Sequence, residues 1–328
     1  LVLRPHTQLT GTALSTACTC HRRAVLARQR KGFETSQQLN LGTMKHELFE
    51  HVLGAHLPYE FRAAARTDDE LLDATVRNQR SELRMLGIAE SAVRSELKQA
   101  LKQMRSWAAS CFPRKGAAPQ SFRLAARSSA AAGDAAAKER QLQLRSVLAI
   151  EQDLCSFNLG LKGKLDATVS ASLISSDGRS ARVELAMPLE LKTGKRSSYN
   201  ISDHTAQVLV YMMLLSEHRC EPPAAGLLYY SQLSDTKDRG SVAVGADPLL
   251  LESLMMQRNM VAAGCAPHAR EEGRMPQMLG DPRTCARCDE LQHCFVTHAA
   301  LEGGNAQSSG AEELCEALHQ AHWQPDGG

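Results

Sequence analysis

The strongest constraint in this chain is a pair of alternating segments. Leu165, Ala167, Val169, Ala171 and Leu173 are interleaved with Asp166, Thr168, Ser170 and Ser172. After Asp177-Gly178, Val183, Leu185, Met187, Leu189 and Leu191 are interleaved with Arg182, Glu184, Ala186, Pro188, Glu190 and Lys192. Successive side chains on a strand point to opposite faces, so each arm reads as a strand with one apolar face, and the Asp-Gly between them reads as a hairpin turn. Directly opposed residues share a face, so the register must bring both apolar sets together. A three-residue turn over Asp177 to Arg179, with Gly178 free to take positive φ, does this and sets Asp166 opposite Glu190. Pro188 weakens the ladder by removing one donor.

The segments around the hairpin complete a mixed α/β domain. Gly42 to Leu53 reads as a helix with Thr43 as N-cap and Leu48, Phe49, Val52 and Leu53 on one stripe. A longer helical stretch runs from about Asp68 to Trp107, broken near Gly87. Beyond the hairpin, Ser202 or Asp203 caps a helix reaching about Leu215, and Gly226 to Tyr230 returns as a short buried strand. Residues 108–140 are rich in Ala, Ser, Arg and Gly and read as a flexible insertion, because they offer little large apolar surface to offset the entropy of ordering. Residues 1–14 and the acidic stretch 301–328 are expected to be disordered, leaving 15–300 as the folded domain.

Charge and cysteine usage narrow the function classes. The totals of 38 Lys+Arg and 36 Asp+Glu give a net +2, which hides two basic segments offset by an acidic tail. Residues 1–45 hold seven basic and one acidic residue, 101–150 nine and two, and 266–328 four and ten. The near-zero sum therefore does not argue against a nucleic-acid partner. Aromatic residues make up only 4%, which disfavours a broad base-stacking platform. The longest strongly apolar run, Val208 to Leu215, is shorter than the roughly 20 residues that span a bilayer, so no membrane role is expected. Ten cysteines in a chain of 328 residues without a signal-peptide pattern read as thiols or metal ligands in a reducing compartment.

Two constellations carry chemistry. Carboxylates opposed across a hairpin repel one another unless a cation sits between them, and Lys192 lies two residues beyond Glu190 on the same face. Oxygen ligands favour Mg2+ or Mn2+, ions that polarise a phosphoryl oxygen and lower the pKa of bound water. Lys192 would then hold or deprotonate the attacking water. An Asp, Glu and Lys on the solvated face of an amphipathic hairpin would give the same short pattern. In the second constellation, Cys285-x2-Cys288-x5-Cys294 gathers three thiolates and needs a fourth ligand from Cys20, Cys18, Cys265, Cys315, His293 or His298. Its spacing alone suits Zn2+. Lys162, Lys164, Lys195 and Arg196, with Arg22 and Arg23, could line a salt-sensitive channel for a phosphate backbone. Cys111, Cys155 and Cys220 read as small buried hydrophobes.

The order of short segments adds a family resemblance. Gly42-x-x-x-His46, Gly163-Lys164-Leu165-Asp166, Glu190-Leu191-Lys192-Thr193-Gly194 and Gln207-x-x-x-Tyr211 follow one another. Together they resemble the RecB-like branch of the PD-(D/E)xK nuclease superfamily, in particular the nuclease domains of the eukaryotic replication helicase/nucleases that trim Okazaki flaps. The resemblance implies a restriction-endonuclease-like core, a central mixed sheet flanked by helices whose chain ends are joined by a metal cluster. It implies that Asp166 and Glu190 bind Mg2+ or Mn2+, with His46 and the Leu191 carbonyl as further ligands, that Lys192 acts on the water, and that Gln207 and Tyr211 brace the site or the strand. Glu151, one segment earlier, would be a supporting carboxylate.

The same resemblance implies a [4Fe-4S] cluster on Cys20, Cys285, Cys288 and Cys294, because Cys20 is followed by the basic pair Arg22-Arg23. Cys18 is the alternative fourth ligand, and the other six cysteines are expected to be dispensable. The expected substrate is single-stranded or flap DNA, the expected partner replication protein A, and the expected compartment the nucleus, with mitochondria second. No G-x-x-x-x-G-K-[ST] occurs in these residues, so a helicase motor belongs to a longer protein or is missing. Two other functions share parts of the pattern: a stand-alone iron-sulfur exonuclease like those of CRISPR adaptation, and a non-catalytic, metal-stapled DNA-binding module.

Overall fold

A computed structural model of the chain describes all residues except 31–35, 63, 65, 114–116, 125–139, 176–182, 199, 223, 233–238, 267–268, 270–274 and 305–328. In chain order the described elements are β1 (Leu9–Thr10), α1 (Gly11–Thr19), α2 (His21–Gln29), α3 (Gln37–Gly54), α4 (Asp68–Asn78), α5 (Arg80–Met85) and α6 (Glu90–Cys111). Then come β2 (Ser121–Leu124), β3 (Arg140–Ser156), β4 (Leu161–Ser175), β5 (Val183–Lys192), α7 (Ile201–Arg219), β6 (Ala225–Tyr230) and β7 (Ser241–Gly245). The last are α8 (Pro248–Gly264), α9 (Pro282–Cys285) and α10 (Leu291–Leu301). The chain divides into two compact units. The smaller draws on Leu1–Gly32, Phe157–Leu161 and Glu252–Gly328, and the larger on Phe33–Ser156 and Lys162–Leu251.

The larger unit is built on the hairpin. Strands β4 and β5 pair antiparallel with Ala167 opposite Leu189, Val169 opposite Met187 and Leu173 opposite Val183. Continued by one residue, this register would set Asp166 opposite Glu190, the alignment that a three-residue turn predicts. The turn itself falls outside the described residues. The strand order is β2-β3-β4-β5-β6-β7. Pairing is antiparallel at β2–β3 and β6–β7 but parallel at β5–β6, where Leu189 lies beside Leu227 and Lys192 beside Tyr230. A parallel neighbour needs a crossover, which α7 provides, so the sheet is mixed and the fold α/β.

The odd-numbered hairpin residues, Ala167, Val169, Met187 and Leu189, join a core with Met44 and Leu48 of α3 and Leu97, Leu101 and Met104 of α6. Trp107 stacks on Tyr229 at 4.3 Å between ring centres, and its Nε1 donates to Ser241 Oγ at 2.8 Å, so the indole is both packed and satisfied. The even-numbered face is not solvated as alternation alone suggests: Thr168, Ser172 and Glu190 are buried. Helix α7 covers this side, packing against β5 and β6, and every residue from Ala206 to Leu215 is buried. The close approach needs Gly226, where a Cβ would overlap Val208 Cγ1.

Several boundaries differ from the sequence reading for identifiable reasons. Helix α3 starts well before Thr43, because the Ser36 hydroxyl caps it by accepting the Leu39 N–H at 3.2 Å; the Thr43 hydroxyl donates to the Leu39 carbonyl within the helix at 3.1 Å. Asn200, not Ser202 or Asp203, stands at the N-cap of α7. The insertion at 108–140 is shorter than expected. Helix α6 continues to Cys111, and β2 pairs with β3, burying Phe122 opposite Leu142; the stretch 125–139 lies outside the described residues. Of the cysteines expected to be buried, only Cys111 is, whereas Cys155 and Cys220 are exposed.

In the smaller unit, residues 1–14 are not disordered but carry β1 and the first turn of α1. Fully buried Arg258 explains why: its guanidinium donates to the carbonyls of Leu3, Arg4 (2.7 Å), Thr7 (2.8 Å) and Gly160 (3.3 Å). Gly160 has φ +61°, and a Cβ there would overlap the Arg258 guanidinium. Gly160→Ala is therefore expected to cost about 2 kcal/mol or more, from the left-handed backbone and the displaced guanidinium together. Thermal denaturation checks this, and an unchanged melting temperature would contradict the clamp. The acidic tail falls almost entirely outside the described residues.

Candidate functional site

At the C-terminal end of β5, where the strand runs parallel to β6 and α7 crosses over, the predicted catalytic residues meet. Lys192 Nζ donates to Glu190 Oε1 at 2.9 Å and to Gln207 Oε1 at 2.5 Å. Gln207 Nε2 donates to Glu190 Oε1 at 2.7 Å and to the Tyr211 hydroxyl at 2.8 Å. Asp166 Oδ2 accepts the Leu191 N–H at 2.6 Å, and Asp166 Oδ1 lies 3.2 Å from His46 Nδ1. Three elements supply these groups: α3 brings His46, the hairpin brings Asp166, Glu190 and Lys192, and α7 brings Gln207 and Tyr211 one turn apart. Gly163 makes room, since a Cβ there would sit 2.6 Å from Tyr211 Cε1.

The electrostatics of this network fit a hard dication. Burial first, and then the Asp166 charge, push the Glu190 carboxyl far above the ordinary carboxylate range, against the lowering effect of Lys192. Glu190 Oε2 is buried without a hydrogen-bond partner, an orphaned acceptor of the kind an oxygen-liganded cation satisfies. Burial opposes the His46 imidazolium, yet the hydrogen bond and charge of Asp166, joined by Glu190, outweigh it and raise its pKa. Among the described residues, no three His, Cys, Asp or Glu groups stand at metal-binding spacing. In this arrangement His46 is directed at Asp166, and Lys192 at Glu190. The Leu191 N–H reaches Asp166, the part of Leu191 that the sequence reading did not use.

Three neighbours went unnoticed in the sequence. His204 lies three residues before Gln207 on α7; its Nδ1 is 2.8 Å from the Tyr230 hydroxyl, and burial together with Lys192 holds its pKa down at about 4. Tyr230 itself pairs with Lys192 across β5–β6. Glu50, one turn beyond His46 on α3, is raised to about 7 by burial and then by Glu151. The helical offsets 46/50 and 204/207/211 were the available signal. Glu151 has a left-handed backbone, φ 52°, within β3 and forms an ion pair with Lys164.

The smaller unit gathers the second constellation. Cys20 is the N-cap of α2, Cys285 ends α9, Cys288 follows in the next turn, and Cys294 lies in α10. Burial raises the Cys285 pKa first, followed by the nearby Cys20, Cys288 and Cys294. Cys294 is likewise raised by burial, with Cys20 and Cys288 adding to it and Arg22 opposing. These sulfurs too, among the described residues, do not stand at the spacing of a single metal ion, yet four half-buried sulfurs that repel one another when ionised are the donor chemistry that a zinc ion or an iron-sulfur cluster would neutralise. Of the other candidate ligands, Cys18 is exposed, Cys265 is half-buried and Cys315 lies outside the described residues.

The six basic residues differ in exposure and partners. Arg22 is buried and cannot face a strand of DNA. Arg23 Nε donates to Asp289 Oδ1 at 2.8 Å. Lys162, Lys195 and Arg196 are exposed, and Lys164 is exposed but ion-paired with Glu151.

Comparison with known proteins places the chain in a family. The family model described as DNA replication factor Dna2 matches residues 1–171. The DNA replication ATP-dependent helicase/nuclease JHS1 of Arabidopsis thaliana is 29% identical over 325 residues, covering 98% of this chain and 22% of the relative. The helicase/nuclease DNA2 of Mus musculus is 28% identical over 330 residues, 97% of this chain and 29% of the relative, and that of Homo sapiens 27% over 315 residues, 92% and 28%. The chain thus spans about a quarter of the length of these relatives.

Proposed function

The chain belongs to the family of DNA replication factor Dna2, and from that premise we propose that it is a divalent-metal-dependent deoxyribonuclease module of the PD-(D/E)xK type, acting on single-stranded or flap DNA. The observation that carries this reading is the pair of neighbouring networks, His46–Asp166 with the Leu191 N–H and Glu190–Lys192–Gln207–Tyr211, with an orphaned Glu190 oxygen in the second. Asp166, Glu190, His46 and the Leu191 carbonyl would hold Mg2+ or Mn2+, which when bound stabilises charge on the scissile phosphate and lowers the pKa of a bound water. Lys192, fixed between Glu190 and Gln207, holds the attacking water in line. Tyr211 orients Gln207, which keeps the ammonium from swinging away. The Leu191 N–H fixes the Asp166 carboxylate in the orientation a ligand needs. Each of these groups is set before substrate arrives, which is how positioned polar groups lower a barrier.

The four cysteines are read as a [4Fe-4S] site, with Zn2+ as the other metal chemistry that fits the sulfurs. The relatives are named as helicase/nucleases, and these residues correspond to the nuclease part of that pairing. Replication protein A as partner and a nuclear location, with mitochondria second, belong to the same reading. No helix among the described residues is long and apolar enough to cross a membrane. A labelled 5′-flap and a blunt duplex incubated with Mg2+ test the substrate class. The flap strand is expected to be consumed while the duplex persists, with binding weakening as salt rises. Equal cutting of both would contradict single-strand selection.

A further inference from the structure

Arg22 sits where a DNA-contacting arginine cannot. Its side chain is 1% exposed, and four N–H donations fix it: Nε to Cys294 Sγ at 3.2 Å, Nη1 to the Pro276 carbonyl at 2.9 Å, and Nη1 and Nη2 to the two Glu302 carboxylate oxygens at 2.8 and 2.9 Å. Glu302 is held in turn by His298, whose Nδ1 lies 3.0 Å from Glu302 Oε2. A guanidinium has five donors in a rigid planar fork. Here two parallel donors take the carboxylate, and the fork geometry then aims Nε at the sulfur. Lysine would keep the charge but could not make both contacts. Burial alone would lower the Arg22 pKa, but Glu302 and Cys294 more than reverse this.

The placement matters because Arg22 stands two residues after Cys20 and reaches across 272 positions of sequence to Cys294. One side chain, two residues beyond the cysteine that caps α2, therefore fixes a cysteine of α10. We propose that Arg22 is the positioning residue of the cysteine site: it holds Cys294 in place for the metal and donates a hydrogen bond to the sulfur that binds it. This rests on the reading of Cys20, Cys285, Cys288 and Cys294 as a metal centre. A donor to a ligating sulfur offsets the negative charge gathered on the sulfurs, and such supporting contacts set how long a site keeps its metal.

The test compares wild type with Arg22→Lys, Arg22→Gln and Glu302→Gln, all purified anaerobically. Iron and zinc per chain are measured first, and then the rate of metal release to a chromophoric chelator. Both Arg22 variants are expected to release metal about tenfold faster or more. Glu302→Gln, which loosens the anchor but leaves Arg22 in place, should fall between. Wild-type release from Arg22→Lys would overturn the proposal, because charge alone would then suffice. Should the Arg22 variants fail to fold, wild-type release from Glu302→Gln would overturn it. Wild-type protein without bound metal would instead defeat the metal reading of the cysteines, and this proposal with it, an outcome that the metal content distinguishes from the release rates.

Discussion

Replacing Glu190 by glutamine is expected to abolish cleavage while making the metal-free protein more stable. The buried carboxylate faces the charge of Asp166, and its Oε2 has no partner. Without a cation the pair is a destabilising arrangement, and in the proposed function a cation would offset it. Glutamine keeps the oxygen that accepts from Lys192 and Gln207 but removes the charge. Removing the penalty for ionising this buried carboxyl is expected to add about 1 kcal/mol to stability in chelator at alkaline pH, where the wild-type group must carry charge, and little below it. Loss of a ligand is expected to cost at least about a thousandfold in single-turnover cleavage, equivalent to roughly 4 kcal/mol of barrier. Added Mg2+ should raise the melting temperature of wild type, since a ligand bound only to the folded state stabilises it, and should leave the variant unmoved. A variant that cleaves normally, or one as responsive to Mg2+ as wild type, would remove Glu190 from the site.

The second large effect is expected at the cysteines. Cys20 and the Cys285–Cys294 segment are separated by more than 250 residues, and a metal centre joining them closes that loop. In the chain-entropy description a closure of this length contributes about 5 kcal/mol, comparable to the whole stability of an ordinary domain. Cys288→Ser is therefore expected to lose metal and colour and to leave α1, α2, α9 and α10 open to proteolysis and hydrogen exchange. Cys155→Ser and Cys220→Ser, at exposed positions, should stay within about 0.5 kcal/mol of wild type. Wild-type protease resistance in metal-free Cys288→Ser would show that packing alone holds the smaller unit. Brown protein with broad visible absorption distinguishes the iron-sulfur cluster from zinc, which is colourless.

Much of the larger unit was legible because its central feature is local. Period-2 alternation on both arms determines which residues share a face, and the Asp-Gly turn then selects, among the even registers, the one that brings Asp166 and Glu190 together. Sequence spacing also placed Gln207 and Tyr211 one turn apart. The function of the even-numbered face was not legible. Alternation marks it as polar, but only the tertiary fold reveals that α7, buried from Ala206 to Leu215, covers it and leaves Glu190 buried. Arg22 failed for a related reason. A basic pair after a cysteine looks like a phosphate contact until Glu302, 280 residues away, is brought beside it. Caps were misread where the polar residue nearest the apolar stripe was not the one that ends the helix, as Thr43 and Ser36 illustrate. Tyr230 carries no pattern in the sequence until its neighbours are known, whereas Glu50 and His204 share helical offsets with His46 and Gln207 that mark a common face but not a function.

The most direct test of the account is single-turnover cleavage of a 5′-flap DNA by wild type and Asp166→Ala, each in EDTA, Mg2+ and Mn2+. Cleavage by wild type in Mg2+ or Mn2+ alone, with none by the variant under any condition, is the predicted result. Equal activity of the two proteins in Mg2+, or cleavage by wild type that persists in EDTA, would contradict a metal-dependent site at Asp166 and Glu190.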